Sequence, residues 1–115
     1  MKLNNIYMIW KIGKNVYENQ YNYENIIKKY SDYYSYLFGN SYMFTRENII
    51  LMKKFYLSFP IFYDRLENIT WNQYKLLLSI SNKKERMFYF NLSLLFNSDY
   101  YGTNTFINNR YFYRI

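Results

Sequence analysis

The chain has 115 residues and a formal net charge of +7, and it contains neither cysteine nor histidine. Without cysteine it can form no disulfide and no thiolate metal site, and without histidine it lacks the commonest general base and metal ligand. Its length predicts one domain, 1–115, with a core of its own, and its charge favours partners that carry negative charge.

Apolar residues at spacings of three and four predict a first helix over 3–19 and a second over 22–38. Glycine inside a helix costs about 1 kcal/mol relative to alanine, so we expect Gly13 to mark a close approach to another helix. Gly39 and Asn40 are expected to end the second helix. The residues expected to face the core are Leu3, Ile6, Tyr7, Trp10, Tyr17, Tyr23, Ile26, Ile27, Tyr30, Tyr34, Leu37 and Phe38.

A third helix is predicted between a Thr45 cap, whose hydroxyl can accept from the first turn, and a stop at Pro60. Its spacing predicts a buried stripe that consists of Ile49, Met52, Phe55, Tyr56 and Phe59.

Three more helices are predicted in the second half of the chain. One covers 71–80 after a Thr70 cap, one covers 83–97, and the last starts at Thr103, while the tail 111–115 could add an edge strand. Ser81 or Asn82 would cap the helix over 83–97. The expected core residues are Trp71, Tyr74, Leu77, Leu78, Met87, Phe88, Leu92, Leu94, Leu95, Phe96, Phe106, Ile107 and Phe112. The predicted fold class is therefore all-α, a compact bundle of five to six helices.

Two ordered segments resemble the N-terminal domain of the YhcG-like family. The first reads Phe-Tyr-Leu-x-Phe-Pro over 55–60 and follows Phe44-Thr45-Arg46; the second reads Trp-x-x-Tyr-x-Leu-Leu-Leu over 71–78. The resemblance covers roughly Trp10 to Arg110. In that family the small helical domain precedes a PD-(D/E)xK-type nuclease domain, and this chain ends where the nuclease would begin. The resemblance therefore implies a module that binds and does not catalyse.

The same resemblance implies a helix-turn-helix-like C-terminal half, similar to that of ParB partition proteins. The first two helices match at Thr70–Ser79 and Lys83–Phe96, but the third piece differs, because its turn is longer and asparagine stands where the family tends to place charge. Asparagine can pair with an adenine edge through two hydrogen bonds, so Asn104 and Asn108 remain candidates for base contacts.

No residue pattern predicts catalysis or a metal site. Asp64 and Glu67 could share a helix face, but such pairs are usually solvated surface charge, and three glycines form no phosphate-binding loop. No serine or threonine has a histidine to activate it. We expect no enzyme activity and no cofactor.

The candidate contacts to nucleic acid or to a protein partner are mostly basic, since cations on one face can bind phosphates. They are Arg46, Lys53, Lys54, Lys83, Lys84, Arg86, Asn104, Asn108, Arg110 and Arg114. The competing interpretation is that the lysine pairs are ordinary solvated helix edges.

Tyrosine is unusually common, at 17 residues, and an AT-rich coding sequence would explain much of that excess. A small core cannot absorb every ring, and clustered exposed aromatics are typical of interfaces. The candidate interface residues are Tyr100, Tyr101, Tyr111 and Tyr113, which could also support a homodimer.

These observations predict a nucleic-acid- or nucleoprotein-binding accessory module, with DNA, RNA or a ribonucleoprotein as partner. The alternative is a small inhibitor protein of a mobile element, anti-CRISPR-like, that docks on a nuclease or its RNA-bound complex. A remnant that folds but has lost its ligand is a third possibility. No stretch approaches the roughly 20 apolar residues of a membrane-spanning helix, and no signal peptide is visible, so we expect a cytoplasmic protein.

Overall fold

The structure is a computed structural model that describes residues 5–38 and 42–114. All regular structure in these two ranges is helical, which confirms the all-α fold class. The described chain has six α-helices and divides into two compact units, Met1–Ile61 and Phe62–Ile115. The prediction that Gly39 and Asn40 end a helix lies outside the described residues.

The first unit contains three α-helices joined by short 3₁₀ turns. They are α1 (Ile6–Glu18), α2 (Tyr23–Phe38) and α3 (Arg46–Ser58), with 3₁₀ turns at Gln20–Asn22 and Tyr42–Phe44.

The second unit begins and ends with 3₁₀ segments, Asp64–Asn68 and Tyr111–Arg114. Between them lie α4 (Trp71–Leu78), α5 (Lys83–Leu95) and α6 (Tyr100–Asn108).

The predicted helix caps are confirmed at α3, α4 and α5. The Thr45 hydroxyl accepts from the Asn48 amide at the start of α3. Thr70 forms a capping box with Gln73 at the start of α4, and the Asn82 carboxamide oxygen accepts from the Glu85 amide 2.9 Å away. Each cap satisfies backbone donors that the first turn would otherwise leave free.

Two predictions for the C-terminal region are wrong. The last helix starts at Tyr100 and not at Thr103, because the Asp99 carboxylate caps it by accepting from the Gly102 amide at 2.8 Å. The described part of the tail, Tyr111–Arg114, is a 3₁₀ turn and not an edge strand.

The buried face of α1 differs from the predicted one. Ile6, Ile9, Ile12 and Val16 form it, all at 4 % exposure or less, while Tyr7 and Tyr17 lie at the surface. Both sets have helical spacing, so periodicity alone could not separate them; the tyrosines stay outside because their hydroxyls remain hydrated there.

Gly13 does mark a close approach between α1 and α3, as predicted. A Cβ atom at this position would lie 1.9 Å from the Met52 carbonyl oxygen. That atom belongs to the backbone of α3 and cannot rotate away, so only glycine fits between the two helices.

The core face of α5 was also predicted wrongly. Leu95 and Phe96 are 75 % and 62 % exposed, whereas Arg86, Tyr89, Phe90 and Ser93 are buried. The buried set has the i, i+3, i+4, i+7 spacing of a single helix face, but two of its members are polar, which hid it from a search for apolar residues.

Polar side chains join the three helices inside the second unit. The Gln73 side-chain nitrogen donates to the Thr103 hydroxyl at 3.0 Å and to the Ser98 carbonyl at 2.7 Å. The Thr103 and Ser93 hydroxyls lie 2.7 Å apart, and Ser93 donates to the Tyr89 carbonyl. Because every member has a partner, this network can be buried without a large cost and fixes the mutual positions of α4, α5 and α6.

Candidate functional site

The start of α5 and the C-terminal 3₁₀ segment meet on the surface of the second unit. The Tyr113 hydroxyl donates to Glu85 Oε2 at 2.9 Å, and the Phe112 amide donates to the Tyr89 hydroxyl at 3.2 Å. Arg110 has a φ of 56°, a left-handed conformation in which the chain turns after α6. These contacts bring the end of the chain beside the first turn of α5.

Four of the predicted contact residues belong to the two segments that meet here. Lys83 and Lys84 immediately precede Glu85 on α5, while Arg110 comes just before the 3₁₀ segment and Arg114 is its last residue. All four are exposed. Together with Tyr113, which is 59 % exposed, we call them the basic face.

Aromatic rings, and not carboxylates, hold the two arginines. The Arg110 guanidinium lies 5.1 Å from the centre of the Tyr113 ring, and that of Arg114 lies 5.2 Å from the centre of the Tyr111 ring. No lysine or arginine of the second unit lies within 4 Å of a carboxylate oxygen of any described residue. The cations of the basic face therefore keep their hydrogen-bond donors available.

The Glu85 carboxylate accepts a hydrogen bond from the Tyr113 hydroxyl. Their hydrogen bond is the main reason that the pKa of the Tyr113 phenol is raised above its ordinary value. Like any tyrosine with a pKa near 10 or above, Tyr113 is protonated at neutral pH, and its hydrogen bond to the carboxylate anchors the C-terminal segment to α5.

The structure places Arg86 away from the basic face. It is only 9 % exposed, and its Nη1 donates to the Ile80 carbonyl in the turn before α5 at 3.1 Å. Its Nε is buried with no hydrogen-bond partner among the described residues. Arg86 stabilises the turn between α4 and α5. On α6, Asn104 is half-buried and Asn108 is exposed.

The other predicted basic contacts belong to the first unit, where two of the three have partners. Arg46 pairs with Glu24 at 2.5 Å and lowers the pKa of that carboxyl through a hydrogen bond. The Lys53 ammonium lies 4.7 Å from the centre of the Tyr23 ring, and Lys54 is exposed.

Two of the predicted interface tyrosines line a cleft between α4 and α6. The cleft has a volume of about 570 Å³ and is lined by Asn72, Lys75, Leu76, Ser79, Tyr100 and Tyr101. The α4 residues of this cleft were not among the predicted contact residues. The signal was present, because 72, 75, 76 and 79 have the spacing of one helix face opposite the apolar one.

A second cavity, also missed, lies between α1 and α2 in the first unit. Its volume is about 560 Å³, and its lining residues are Asn5, Tyr7, Met8, Lys11, Ile12, Asn15, Tyr30 and Tyr34. The ring faces here are largely occupied: Phe44 stacks on Tyr34 with 4.4 Å between ring centres, and the Lys11 ammonium lies over Tyr7.

Within residues 5–38 and 42–114, no three carboxylate side chains come close enough to hold a metal ion. None of the helices in these ranges is both long and apolar enough to cross a membrane.

Comparison with known proteins identifies the family. The model of the DUF1016 N-terminal domain matches residues 2–114. No significant match was found among curated proteins or among solved structures. Because the matched span takes in nearly all of the 115 residues, the chain belongs to the DUF1016 N-terminal domain family, as its resemblance to the N-terminal domain of YhcG-like proteins indicates.

Proposed function

We propose that this chain is a non-catalytic nucleic-acid-binding module that contacts phosphates through the basic face of its second unit. One observation carries the proposal: Lys83, Lys84, Arg110 and Arg114 are exposed on adjoining elements, and no described carboxylate pairs with any of them. Phosphate oxygens would supply the anionic partners that these four cations do not have among the described residues.

The geometry of the two arginines suits phosphate binding. A guanidinium that lies over an aromatic ring is attracted to the ring face, while the N–H groups at its edge point outward. Tyr113 and Tyr111 thus restrict the motion of Arg110 and Arg114 without using their donors. This preorganisation lowers the entropy lost when a phosphate binds.

The order of helices in the second unit also supports the proposal. A capped α4, a short turn and α5 follow one another as the helix-turn-helix resemblance implies. Lys83 and Lys84 lie in the first turn of α5, where the helix dipole also favours an anion.

The proposal can be tested by fluorescence anisotropy with labelled single-stranded and duplex oligonucleotides at low and at physiological salt. If several phosphates are contacted, affinity should fall about tenfold or more between the two conditions. The double variant R110A/R114A should bind more weakly. The slope of its plot of log affinity against log salt concentration should be smaller in magnitude by about 2, which is one unit for each lost phosphate contact.

The control variant K28A/K29A also removes two positive charges, but from α2, where Lys28 pairs with Asp32 at 2.7 Å. It should retain the wild-type salt dependence. Flat binding curves at low salt, or equal losses in the two variants, would contradict the proposal.

A protein-docking role is the second candidate, and the first unit supports it. Tyr33 and Tyr36 on α2 are 56 % and 87 % exposed, and the nearby α1–α2 cavity contains further tyrosines. Such a surface suits an anti-CRISPR-like inhibitor that docks on a nuclease. In surface plasmon resonance against a purified RNA-guided nuclease, with and without guide RNA, Y33A/Y36A should then weaken binding more than K83A/K84A does.

A further inference from the structure

We infer that the cleft between α4 and α6 holds an unpaired nucleobase, so that the nucleic acid bound by this chain is single-stranded. The inference rests on the proposed function and adds to it the class of nucleic acid and a second contact site.

The cleft is formed by a polar helix face on one side and two aromatic rings on the other. Asn72, Lys75 and Ser79 lie on the side of α4 that points away from its buried residues, and Tyr100 and Tyr101 begin α6. Its volume of about 570 Å³ lies within the range of roughly 300–1,000 Å³ of small-molecule sites.

Tyr101 offers an aromatic surface that nothing else in the described structure covers. It is 76 % exposed, and its one ring contact there is with Tyr100, with the two ring planes at 90°. Perpendicular packing leaves ring surface open, and a nucleobase can stack on it whatever its identity.

The other cleft residues provide one charge and several hydrogen-bonding groups. Among the described lining residues, Lys75 alone is charged, and it forms no ion pair with a described carboxylate. The Asn72 carboxamide makes no hydrogen bond within the described chain. The Ser79 hydroxyl donates to the Leu76 carbonyl and keeps its acceptor positions. A base edge and an adjoining phosphate are the groups that match this set.

The cleft is connected to the basic face by a short turn. Ser79 caps the end of α4, and Lys83 begins α5 four residues later. Four residues span at most ~14 Å, so a strand whose base occupies the cleft can place its next phosphates near Lys83 and Lys84. A duplex could not do so without opening, because its bases are paired and stacked.

The α1–α2 cavity of the first unit does not offer comparable open ring faces for stacking. Its Tyr34 ring is covered by Phe44, and Lys11 lies over Tyr7. A base would have to displace these partners before it could stack there.

The test uses a labelled 12-nucleotide single strand of mixed sequence and the duplex formed from it, measured by anisotropy on the full chain. Stacking on one ring contributes enough that Tyr101→Ala should weaken single-strand binding roughly 5- to 100-fold. Tyr101→Phe keeps the ring and should restore binding. Tyr101→Leu keeps apolar bulk without a ring and should not, which separates stacking from a folding defect.

Tyr36→Ala is the matched control, because it removes a tyrosine from the first unit that is at least as exposed as Tyr101, and this variant should bind as the wild type does. Tyr101→Ala should also leave the salt dependence unchanged, unlike R110A/R114A. If the duplex binds as tightly as the single strand, or if Tyr101→Ala binds normally, the inference is overturned. The proposed function would still stand in that case, provided that R110A/R114A reduces the salt dependence. If neither oligonucleotide binds at low salt, both fail.

Discussion

The two units use their cations in different ways. In the first unit, Arg46 and Lys28 pair with carboxylates, and the Lys11 ammonium lies 4.8 Å from the centre of the Tyr7 ring. In the second unit, no cation pairs with a described carboxylate, and Arg110 and Arg114 lie over tyrosine rings that leave their donors open. The total charge of +7 therefore does not favour one unit over the other as the proposed binding surface, and the proposal rests on the pairing of individual cations.

The interiors of the two units differ as well. The first depends on a backbone contact, since α1 and α3 approach so closely at Gly13 that no side chain fits there. The second is held by the buried hydrogen bonds among Gln73, Ser93 and Thr103. Each unit should consequently be sensitive to a different kind of substitution, which can be tested with matched pairs of variants.

The largest expected effect is that of Gly13→Ala. The new methyl group would lie 1.9 Å from the Met52 carbonyl oxygen, and relief requires a shift of a whole helix. Overpacking of this kind typically costs about 1–3 kcal/mol, and a backbone clash belongs at the upper end or beyond. Urea unfolding followed by circular dichroism would measure the loss.

Gly102→Ala in α6 is the control for Gly13→Ala. Its nearest contact would be the Ser98 Cβ at 3.0 Å, a tight contact that offsets the helix-propensity gain of about 1 kcal/mol. A small net change in the free energy of unfolding is therefore expected. Equal destabilisation by the two substitutions would contradict the difference drawn between the units.

Thr103→Val should have the next largest effect. Valine has a similar shape but leaves Gln73 and Ser93 without one of their buried partners, which should cost about 1–3 kcal/mol. Thr105→Val on the same helix removes a hydroxyl that bonds the Tyr101 carbonyl at the surface, and should change stability by less than about 0.5 kcal/mol. Thermal unfolding of the two variants side by side makes the comparison, and a neutral Thr103→Val would show that the network does not stabilise the second unit.

The smallest predicted effect concerns the hydrogen bond between Tyr113 and Glu85. Because it raises the pKa of Tyr113, its contribution to stability is complete below the ordinary tyrosine value near 10 and is lost as pH rises through the higher folded-state value. Glu85→Gln should bring the Tyr113 pKa down towards the ordinary value. An NMR titration with ¹³C-labelled tyrosine would follow this change, and an unaltered pKa would show that Glu85 does not set it.

The sequence predicted the helices well because their boundaries depend on local chemistry. Thr45, Thr70 and Asn82 cap their helices through side-chain bonds within a few residues, and such bonds can be read from a short segment. The start of α6 was misplaced because the Asp99 cap was not recognised.

Which face of a helix is buried was harder to predict, because that depends on distant packing partners. In a chain so rich in tyrosine, α1 carries two sets of apolar residues with helical spacing, and only contact with α3 decides between them. On α5 the buried stripe includes Arg86 and Ser93, whose burial depends on partners that the local sequence does not reveal.

The candidate site was predictable in part. Lys83, Lys84, Arg110 and Arg114 were predicted only as part of a larger set of basic contacts, and the structure places these four on adjoining elements. Others of that set lie elsewhere: Arg46, Lys53 and Lys54 in the first unit, and Arg86 in the interior. The link between Tyr113 and Glu85 depends on tertiary geometry that no local pattern predicts. For the cleft beside Tyr101, the helical spacing of the α4 residues was visible in the sequence, but their position opposite α6 was not.

The most direct test of the central claim is an NMR titration of ¹⁵N-labelled protein with an unlabelled single-stranded oligonucleotide at low salt. The account predicts chemical-shift changes at the backbone amides of Lys83, Lys84 and Tyr113, with amides of α1 and α3 unchanged. Changes confined to the first unit, or absent throughout, would contradict the claim that the unpaired cations of the second unit form the nucleic-acid contact.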